Sequence, residues 1–447
     1  MGDSPYWNPK FETAPKARLQ ELQLAKWQRL VEYAAQRSPF YAAKFTGAGF
    51  EPSQLKTLDD VRRIPCTTKE EWLGTQAENP LFGDLLTAPE PVATRYHLTS
   101  GTSGRTPLRV LDSTRDWAWI SEIWAYGLWG FGVRPTDVVY LAFSYASFIG
   151  FWGAHYGCEK IGALTLASGN LPTETRVRQI VELGVTTVCA TPTYALRLGA
   201  VAHEMGIDLA TESKIDKVVL GGEPGANIPA TRRLITEALG GRCGDFAGMT
   251  EIGTNMVVEC SHAPGGPHIV EDHIYEEVVD PLSDRPCAYG ERGERIVTSF
   301  GRALLPLIRY RAGDLVERAP HTDCTCGRTF DLYRGGILGR ADDMKVVRGT
   351  NVFPSSIEAV VRDYPEVDEF QIEISYQGGR DEITVRVELG AAPGGTADDL
   401  PDRLGKDLQE CHEGLRFLID VVGAGALPRF ELKSRRLVDL REQRVGA

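Results

Sequence analysis

A chain of 447 residues, 42% hydrophobic and 25% charged, is too long for one average domain and rich enough in core formers for at least two folding units, which excludes a disordered chain and a small disulfide scaffold. The 61 acidic residues against 49 basic ones leave a formal charge of −12, which repels phosphate backbones and anionic lipid surfaces and argues against a nucleic acid or a membrane as partner. Nine cysteines in no regular framework, an odd count, argue against an all-disulfide secreted protein and for a reducing cytoplasm.

The N-terminal stretch MGDSPYWNPKFETAPK lacks a basic segment followed by an apolar core, so neither a signal peptide nor an anchor is expected there. Trp27, Leu30, Val31 and Ala34 fall on one face of a helix that stops near Ser38-Pro39. Val138 to Cys158 carries no formal charge over a length close to the roughly 20 residues that cross a bilayer. Ser144, Tyr145, Ser147, His155 and the glycines Gly150, Gly153 and Gly157 interrupt it, so it reads as a strand entering a Gly-rich loop. Between Thr136 and Gly225, β-branched runs (Val138–Phe143, Val185–Ala190, Val218–Leu220) alternate with helical stretches (Thr175–Leu183, Tyr194–Met205). Such alternation predicts parallel strands with crossover helices, whose ligands gather at the loops leaving the strand ends. Thr191-Pro192-Thr193 and Gly221-Gly222-Glu223-Pro224-Gly225 are two such loops. Glu276 to Arg318 reads as a mostly β subdomain. After Gly339 come a hairpin around Gln377 to Glu382, an amphipathic helix from about Leu400 to Ile419, and a basic tail over 433–436. About a hundred residues suffice there for an independent α+β domain.

Chemistry concentrates in a few motifs. Thr99-Ser100-Gly101-Thr102-Ser103-Gly104-Arg105-Thr106-Pro107 combines tight-turn glycines with hydroxyls able to donate to phosphate, without the ending of a Walker loop. Downstream follow Phe246-Ala247-Gly248-Met249-Thr250-Glu251, Tyr310-Arg311-Ala312-Gly313-Asp314-Leu315 and Gly339-Arg340-Ala341-Asp342-Asp343-Met344-Lys345. In order and separation these blocks resemble the adenylate-forming superfamily. SPFYAAKF (38–45), GGEP (221–224), EDH (271–273), PLIRYRAGDL (306–315), GRADDMKVVRGTNVFPSSIE (339–358) and LPRFELK (427–433) resemble its phenylacetate-CoA ligase branch nearly end to end. The implied fold is α/β: a large N-terminal domain of several α/β and barrel-like subdomains over 1–341, and a small mobile α+β lid over 342–447.

The resemblance implies that ATP activates a carboxylate as an acyl-adenylate, releasing pyrophosphate, before transfer to the thiol of CoA. The same adenylation with an amine or hydroxyl acceptor, as in aromatic natural-product pathways, is the alternative. Thr99, Ser100, Gly101, Thr102, Ser103 and Gly104 would wrap the β- and γ-phosphates, and Glu251, preceded by Thr250, would hold Mg2+. Asp314, acceptor-only when ionised, suits a ribose diol. Gly222, Glu223, Pro224, Asp245 and Phe246 would sandwich the adenine, with Ala247, Gly248, Met249 and Arg340 completing the nucleotide site. Tyr145, Phe148, Gly222, Met249 and Ile252 would line the aryl pocket. Lys433 matches the mobile catalytic lysine, Asp342 the hinge of the lid, and Arg348-Gly349 the loop that approaches the site for CoA after rotation. Asp342-Asp343 also fits a plain turn or helix cap.

Cys260-x-His262 and Cys324-x-Cys326 offer two close ligand pairs for one tetrahedral structural Zn2+, with His268 and His321 as alternative ligands and a plain buried thiol as the other reading of Cys260. Gly104-Arg105-Thr106-Pro107 departs from the branch's Gly-Lys-Pro while keeping a cation. The expected partners are a small aryl acid and its acceptor, and a homodimer is an allowed assembly.

Overall fold

The computed structural model describes residues 4–99, 106–341, 343–390, 399–430 and 436–441. The N-terminal layer is helical, with α1 (Pro9–Glu12), α2 (Lys16–Arg37), α3 (Pro39–Gly47) and α4 (Lys69–Glu78). The expected face of α2 is buried: Trp27, Leu30, Val31 and Ala34 pack against Tyr41, Phe45 and Ile308. Ser38 ends α2 and starts α3 by accepting the Tyr41 N–H, with Pro39 at the position where a missing N–H costs nothing.

A hairpin of β1 (Ala93–Leu98) and β2 (Arg109–Ser113) then leads into α5 (Thr114–Phe131), capped by the Ser113/Asp116 box and ended by left-handed Gly132. The alternating region forms β3 (Val138–Leu141), α6 (Ile149–Ile161), β4 (Leu164–Ala167), α7 (Thr173–Glu182), β5 (Thr187–Ala190), α8 (Pro192–Glu204), α9 (Leu209–Glu212), β6 (Lys217–Gly221), α10 (Pro229–Leu239) and β7 (Arg242–Met249). Strands β4, β3, β5, β6 and β7 are parallel neighbours, as the alternation requires. The chain then turns antiparallel through β8 (Thr254–Val258), β9 (His268–Ile269), β10 (Ile274–Val279), β11 (Arg292–Ser299), β12 (Tyr310–Ala319), β13 (Leu332–Tyr333) and β14 (Gly339–Arg340). The sheet runs β10-β11-β12-β13-β9-β8-β7-β6-β5-β3-β4, with β14 on β12. Two strands of two residues each, β9 and β13, joined by the single pair His268 and Leu332, splice the antiparallel half to the parallel half.

The C-terminal unit has a core of its own. It contains β15 (Lys345–Val347), β16 (Thr350–Val352), α11 (Pro354–Val361), β17 (Val367–Gln377), β18 (Arg380–Leu389), α12 (Leu400–Cys411), β19 (Leu418–Val422) and β20 (Leu437–Asp439). Its four-stranded sheet runs β19-β18-β17-β20, built on the expected hairpin, whose turn glycines Gly378 and Gly379 both have positive φ.

Three expectations are corrected. The glycines after β3 lie in helix α6, where Gly153 and Gly157 face Trp124 of α5 closely enough that a Cβ on either would collide with it; glycine here permits helix approach. The amphipathic helix from Leu400 ends at Cys411, and Leu418-Ile419 form an edge strand, because Glu413 and Gly414 take left-handed conformations between them. Arg436 is buried on the Glu369 carboxylate at 2.7 Å, so that end of the basic tail is packed. Among the described residues no helix is long and apolar enough to cross a membrane.

Candidate active site

The loops after β3, β5, β6 and β7 all leave the carboxyl ends of parallel strands and so open on one edge of the sheet. Met249 ends β7, and Thr250-Glu251-Ile252-Gly253 turns back toward β8, with the Gly253 N–H donating to the Met249 carbonyl at 3.0 Å. Gly253 has φ +92°, which a Cβ disfavours. Thr250 and Glu251 are both buried. The Glu251 carboxylate lies 3.4 Å from Lys69 Nζ, a cation that the Thr68/Glu71 capping box of α4 sets at the first helical position. A buried carboxylate already facing a cation fits a divalent-metal ligand.

The hydroxyl loop sits between β1 and β2. Thr99 closes its neck: its N–H donates to the Leu108 carbonyl at 3.1 Å and its Oγ1 accepts the Leu108 N–H at 2.9 Å. Thr99 is therefore a buried strut at the base of the loop. Ser100, Gly101, Thr102, Ser103 and Gly104 lie outside the described residues, as do Asp342 and Lys433.

Asp314, the expected ribose acceptor, is held between two guanidinium groups, with Arg340 Nη1 at 3.1 Å from Oδ1 and Arg295 Nη1 at 3.4 Å from Oδ2. Arg340 is the cross-strand partner of Asp314 in the β12–β14 pair. Arg295 is fully buried and bound on its far side to Glu276 at 2.8 Å, so the carboxylate is aimed and kept as an acceptor. Gly222, with φ +92°, and Pro224 stand exposed on the rim. Glu223 caps α8 by accepting the Thr193 N–H at 2.8 Å.

Successive residues of β7 divide between the two faces. Phe246 points into the core, stacked with Trp124 at 6.2 Å and edge-on to Phe131. Its ring cannot sandwich an adenine, because the strand pleat turns it away from the side that carries Asp245 and Ala247. Ala247 is half-buried and Gly248 exposed. Asp245 is buried beside Glu259, which binds Arg232 through both oxygens at 2.8 and 2.6 Å. Burial, and then the Glu259 charge, push the Asp245 carboxyl up to about 7, with Arg232 opposing.

Of the proposed aryl wall, Tyr145, Phe148 and Met249 are half-buried against the main core, whereas Ile252 is wholly inside it and supports the Glu251 turn from below. Tyr145 meets Trp152 edge-on at 4.8 Å and hydrogen-bonds His155 Nδ1 at 3.0 Å. Arg348 (φ +52°) and Gly349 (φ +86°) form the two-residue turn of the β15–β16 hairpin. A Cβ on Gly349 would meet nothing within 4 Å, so in this arrangement its glycine serves the turn's φ.

Away from the rim, Cys260, His268, Cys324 and Cys326 converge, all four buried, with their ligand atoms within 4.8 Å of one another. The histidine is His268; the expected His262 is exposed, with Nδ1 3.2 Å from Ser261, and it contributes only its backbone N–H to Cys260 Sγ at 3.4 Å. The reason is the strand: β9 carries His268 into the sheet splice, while His262 sits in the preceding surface loop. His268 Nδ1 lies 2.8 Å from the Phe330 carbonyl, leaving Nε2 toward the sulfurs. The N–H groups of Cys326 and Arg328 donate to Cys324 and Cys326 Sγ at 3.4 and 3.5 Å. Three thiols and one imidazole, oriented by backbone donors and an outer carbonyl, are a donor set that suits tetrahedral zinc.

Comparison with known proteins decides the family. Residues 349–441 match the family model described as the AMP-binding enzyme C-terminal domain. Phenylacetate-coenzyme A ligase of Escherichia coli (strain K12) is 33% identical over 98% of this chain and 99% of its own length. The enzyme of that name from Thermus thermophilus is 32% identical over 98% and 100%. The chain belongs to the phenylacetate-CoA ligase family of adenylate-forming enzymes. Among solved structures, 2-hydroxyisobutyryl-CoA ligase in the postadenylation state with 2-HIB-AMP superposes with a TM-score of 0.93 at 32% identity, covering 99% of this chain and 94% of that one. The same ligase in its thioesterification state, with coverage of 99% and 95%, superposes at 0.75. The N-terminal body and the C-terminal unit are thus arranged as in that postadenylation structure.

Sequence reasoning missed Lys69, Asp112, Arg295 and Arg302. Lys69 reads only as a helix start, and the arginines become meaningful only when β11 and the loop after it fold against Asp314 and the Glu251 turn. His268 was visible as an alternative ligand, but no spacing rule selects it over His262.

Proposed function

We propose that this ligase joins an aromatic carboxylic acid to AMP, releasing pyrophosphate, and then passes the acyl group to the thiol of CoA. The observation that carries the reading is the near-complete match to phenylacetate-coenzyme A ligases in a chain whose Glu251 and Asp314 stand at the rim as a buried metal-type carboxylate and an arginine-braced acceptor. The aromatic flank of Tyr145, Phe148 and Trp152 supports a flat acyl group.

In this reading Asp314 accepts both ribose hydroxyls, and Asp245 with the Gly222–Pro224 rim borders the base. The hydroxyls of Ser100, Thr102 and Ser103, on the loop that Thr99 anchors, and Lys69 contact the phosphates. Glu251 would hold Mg2+, which supplies positive charge to the triphosphate. Lys433 places a cation between the carboxylate and the α-phosphate during adenylation, which contributes on the order of 10²-fold or more in rate. Rotation about Asp342 then withdraws Lys433 and brings the Arg348-Gly349 turn toward the acyl-adenylate for CoA. Cys260, His268, Cys324 and Cys326 would hold a structural Zn2+ with all four positions filled, and thiolate ligands of this kind fit a reducing cytoplasm.

The test offers ATP, Mg2+ and one acid at a time: phenylacetate, benzoate or 2-hydroxyisobutyrate, with and without CoA. Acid-dependent pyrophosphate release, highest with an aryl acid, and an aryl-CoA mass are expected. Release with no thioester, but with an amide or ester from amines or hydroxy acids offered alongside, would replace the CoA half of the reading. Absence of acid-dependent release would remove all of it.

A further inference from the structure

Two parts of the triphosphate site come from distant segments: the hydroxyl loop from the β1–β2 hairpin and Glu251 from the turn after β7. A buried ion pair ties β2 to the Thr250-Glu251 turn. Arg302, on the link between β11 and β12, places Nε 2.7 Å from Asp112 Oδ1, and both side chains are fully buried. The other arm of the same guanidinium reaches the turn: Nη1 donates to the Glu251 carbonyl at 2.6 Å and lies 3.4 Å from that of Thr250. The turn closes over it, since a Cβ on Gly253 would lie 3.2 Å from the guanidinium carbon. The segment is pinned again one residue on, where Asp116 Oδ1 accepts the Ala303 N–H at 2.6 Å while Asp116 Oδ2 caps α5 through Ser113. Asp112 belongs to β2, the strand that leaves the hydroxyl loop.

We infer that Arg302 is a positioning residue for metal-nucleotide binding: held by Asp112, it fixes the backbone of Thr250 and Glu251 and so sets where the Glu251 carboxylate stands relative to β2. It touches neither substrate nor metal. Its contribution is geometric, of the kind that makes an outer group of a metal site worth about 10–100-fold in affinity. A lysine at this position keeps a cation for Asp112 but has no planar fork with which to hold the two carbonyls as well.

The inference rests on the reading of Glu251 as the Mg2+ ligand, and the experiment separates the two. Mn2+ affinity in the presence of α,β-methylene-ATP is measured by electron paramagnetic resonance for wild type, Arg302→Lys, Asp112→Asn and Glu251→Gln. The melting temperature and thioester formation from a supplied acyl-adenylate are recorded alongside. Arg302→Lys is expected to weaken Mn2+ binding at least tenfold, leaving the thioester step, which no longer handles a triphosphate, within twofold. Should Arg302→Lys not fold, Asp112→Asn, which keeps the shape, carries the same expectation. Weakening in Glu251→Gln but wild-type Mn2+ affinity in Arg302→Lys and Asp112→Asn would overturn the positioning role alone. Wild-type affinity in Glu251→Gln would overturn the metal-ligand reading itself. Parallel loss of Mn2+ binding and of the thioester step would make Arg302 merely structural and also overturn the inference.

Discussion

Asp245 illustrates how a residue assigned by motif acquires chemistry only from its surroundings. Its position beside the nucleotide rim was legible in the sequence; its environment was not, because Glu259 and Arg232 lie on β8's continuation and α10, and Gly336 closes over the carboxylate so tightly that a Cβ there would overlap it. The carboxyl is pushed up to about 7 by burial and by Glu259, against about 4 in an unfolded chain. The folded form therefore holds the proton more tightly, so its contribution to stability is complete below about pH 4 and is lost as pH rises to about 7. Over that span of about three units the loss amounts to about 4 kcal/mol, at 1.36 kcal/mol per unit. Asp245→Asn, unable to ionise, is expected to flatten the fall in urea midpoint between pH 4.5 and 8 relative to wild type. Identical pH slopes in the two proteins would show that Asp245 stays ionised through this range. Phe246 makes the complementary point: a motif fixes its place in the chain, while the alternation of β7 sends its ring to Trp124.

At the scale of elements, periodicity located most strands and helices, since β3, β5, β6, α7 and α8 fall on the runs that the alternation picked out. It failed where glycine had two meanings. Gly150, Gly153 and Gly157 look like loop punctuation, yet their spacing also places Gly153 and Gly157 one turn apart on a helix face. In the fold that face meets Trp124, with the site of a Gly157 Cβ 2.6 Å from Trp124 Cβ and 3.2 Å from Leu128 Cδ1. No sequence rule announces a partner 30 residues upstream. Gly157→Val would push α6 off α5, and overpacking of this kind costs about 1–3 kcal/mol. A melting temperature several degrees lower is expected by calorimetry, together with a raised KM for the acid, because the Tyr145–Phe148 loop feeds into α6. A melting temperature equal to wild type would mean that the two helices do not meet at this distance.

For the whole molecule, two divisions govern function. One lies between the N-terminal body and the C-terminal unit, where the Ser355 hydroxyl donates to the Leu338 carbonyl at 2.9 Å. The other lies inside the body, between the parallel half that carries Asp245 and Glu251 and the antiparallel half that carries Asp314. It is bridged by β9 and β13 with a single residue pair. Cys260 follows β8, His268 lies in β9, and Cys324 and Cys326 lie between β12 and β13, so the cluster ties the splice from both sides. The same loop also holds the N-terminus: Tyr6 donates to the Cys326 carbonyl at 2.8 Å, and Arg328 binds the buried Glu12 at 2.6 Å. A metal held there stabilises the folded state directly, because no preformed site exists in the unfolded chain. The purified protein is expected to contain about one zinc per chain by elemental analysis, the count set by one four-ligand site. Chelation, or Cys324→Ser, is expected to lower the melting temperature by about 10 °C, as a loss of several kcal/mol does in a domain of this size. Activity should be lost together with the fold, since the two halves that share the nucleotide separate at the splice. A melting temperature unchanged by chelation, in protein shown to be metal-free, would leave the cluster as buried thiols packed around a histidine. Activity lost on chelation at an unchanged melting temperature would instead place a metal in the chemistry, which four filled positions forbid.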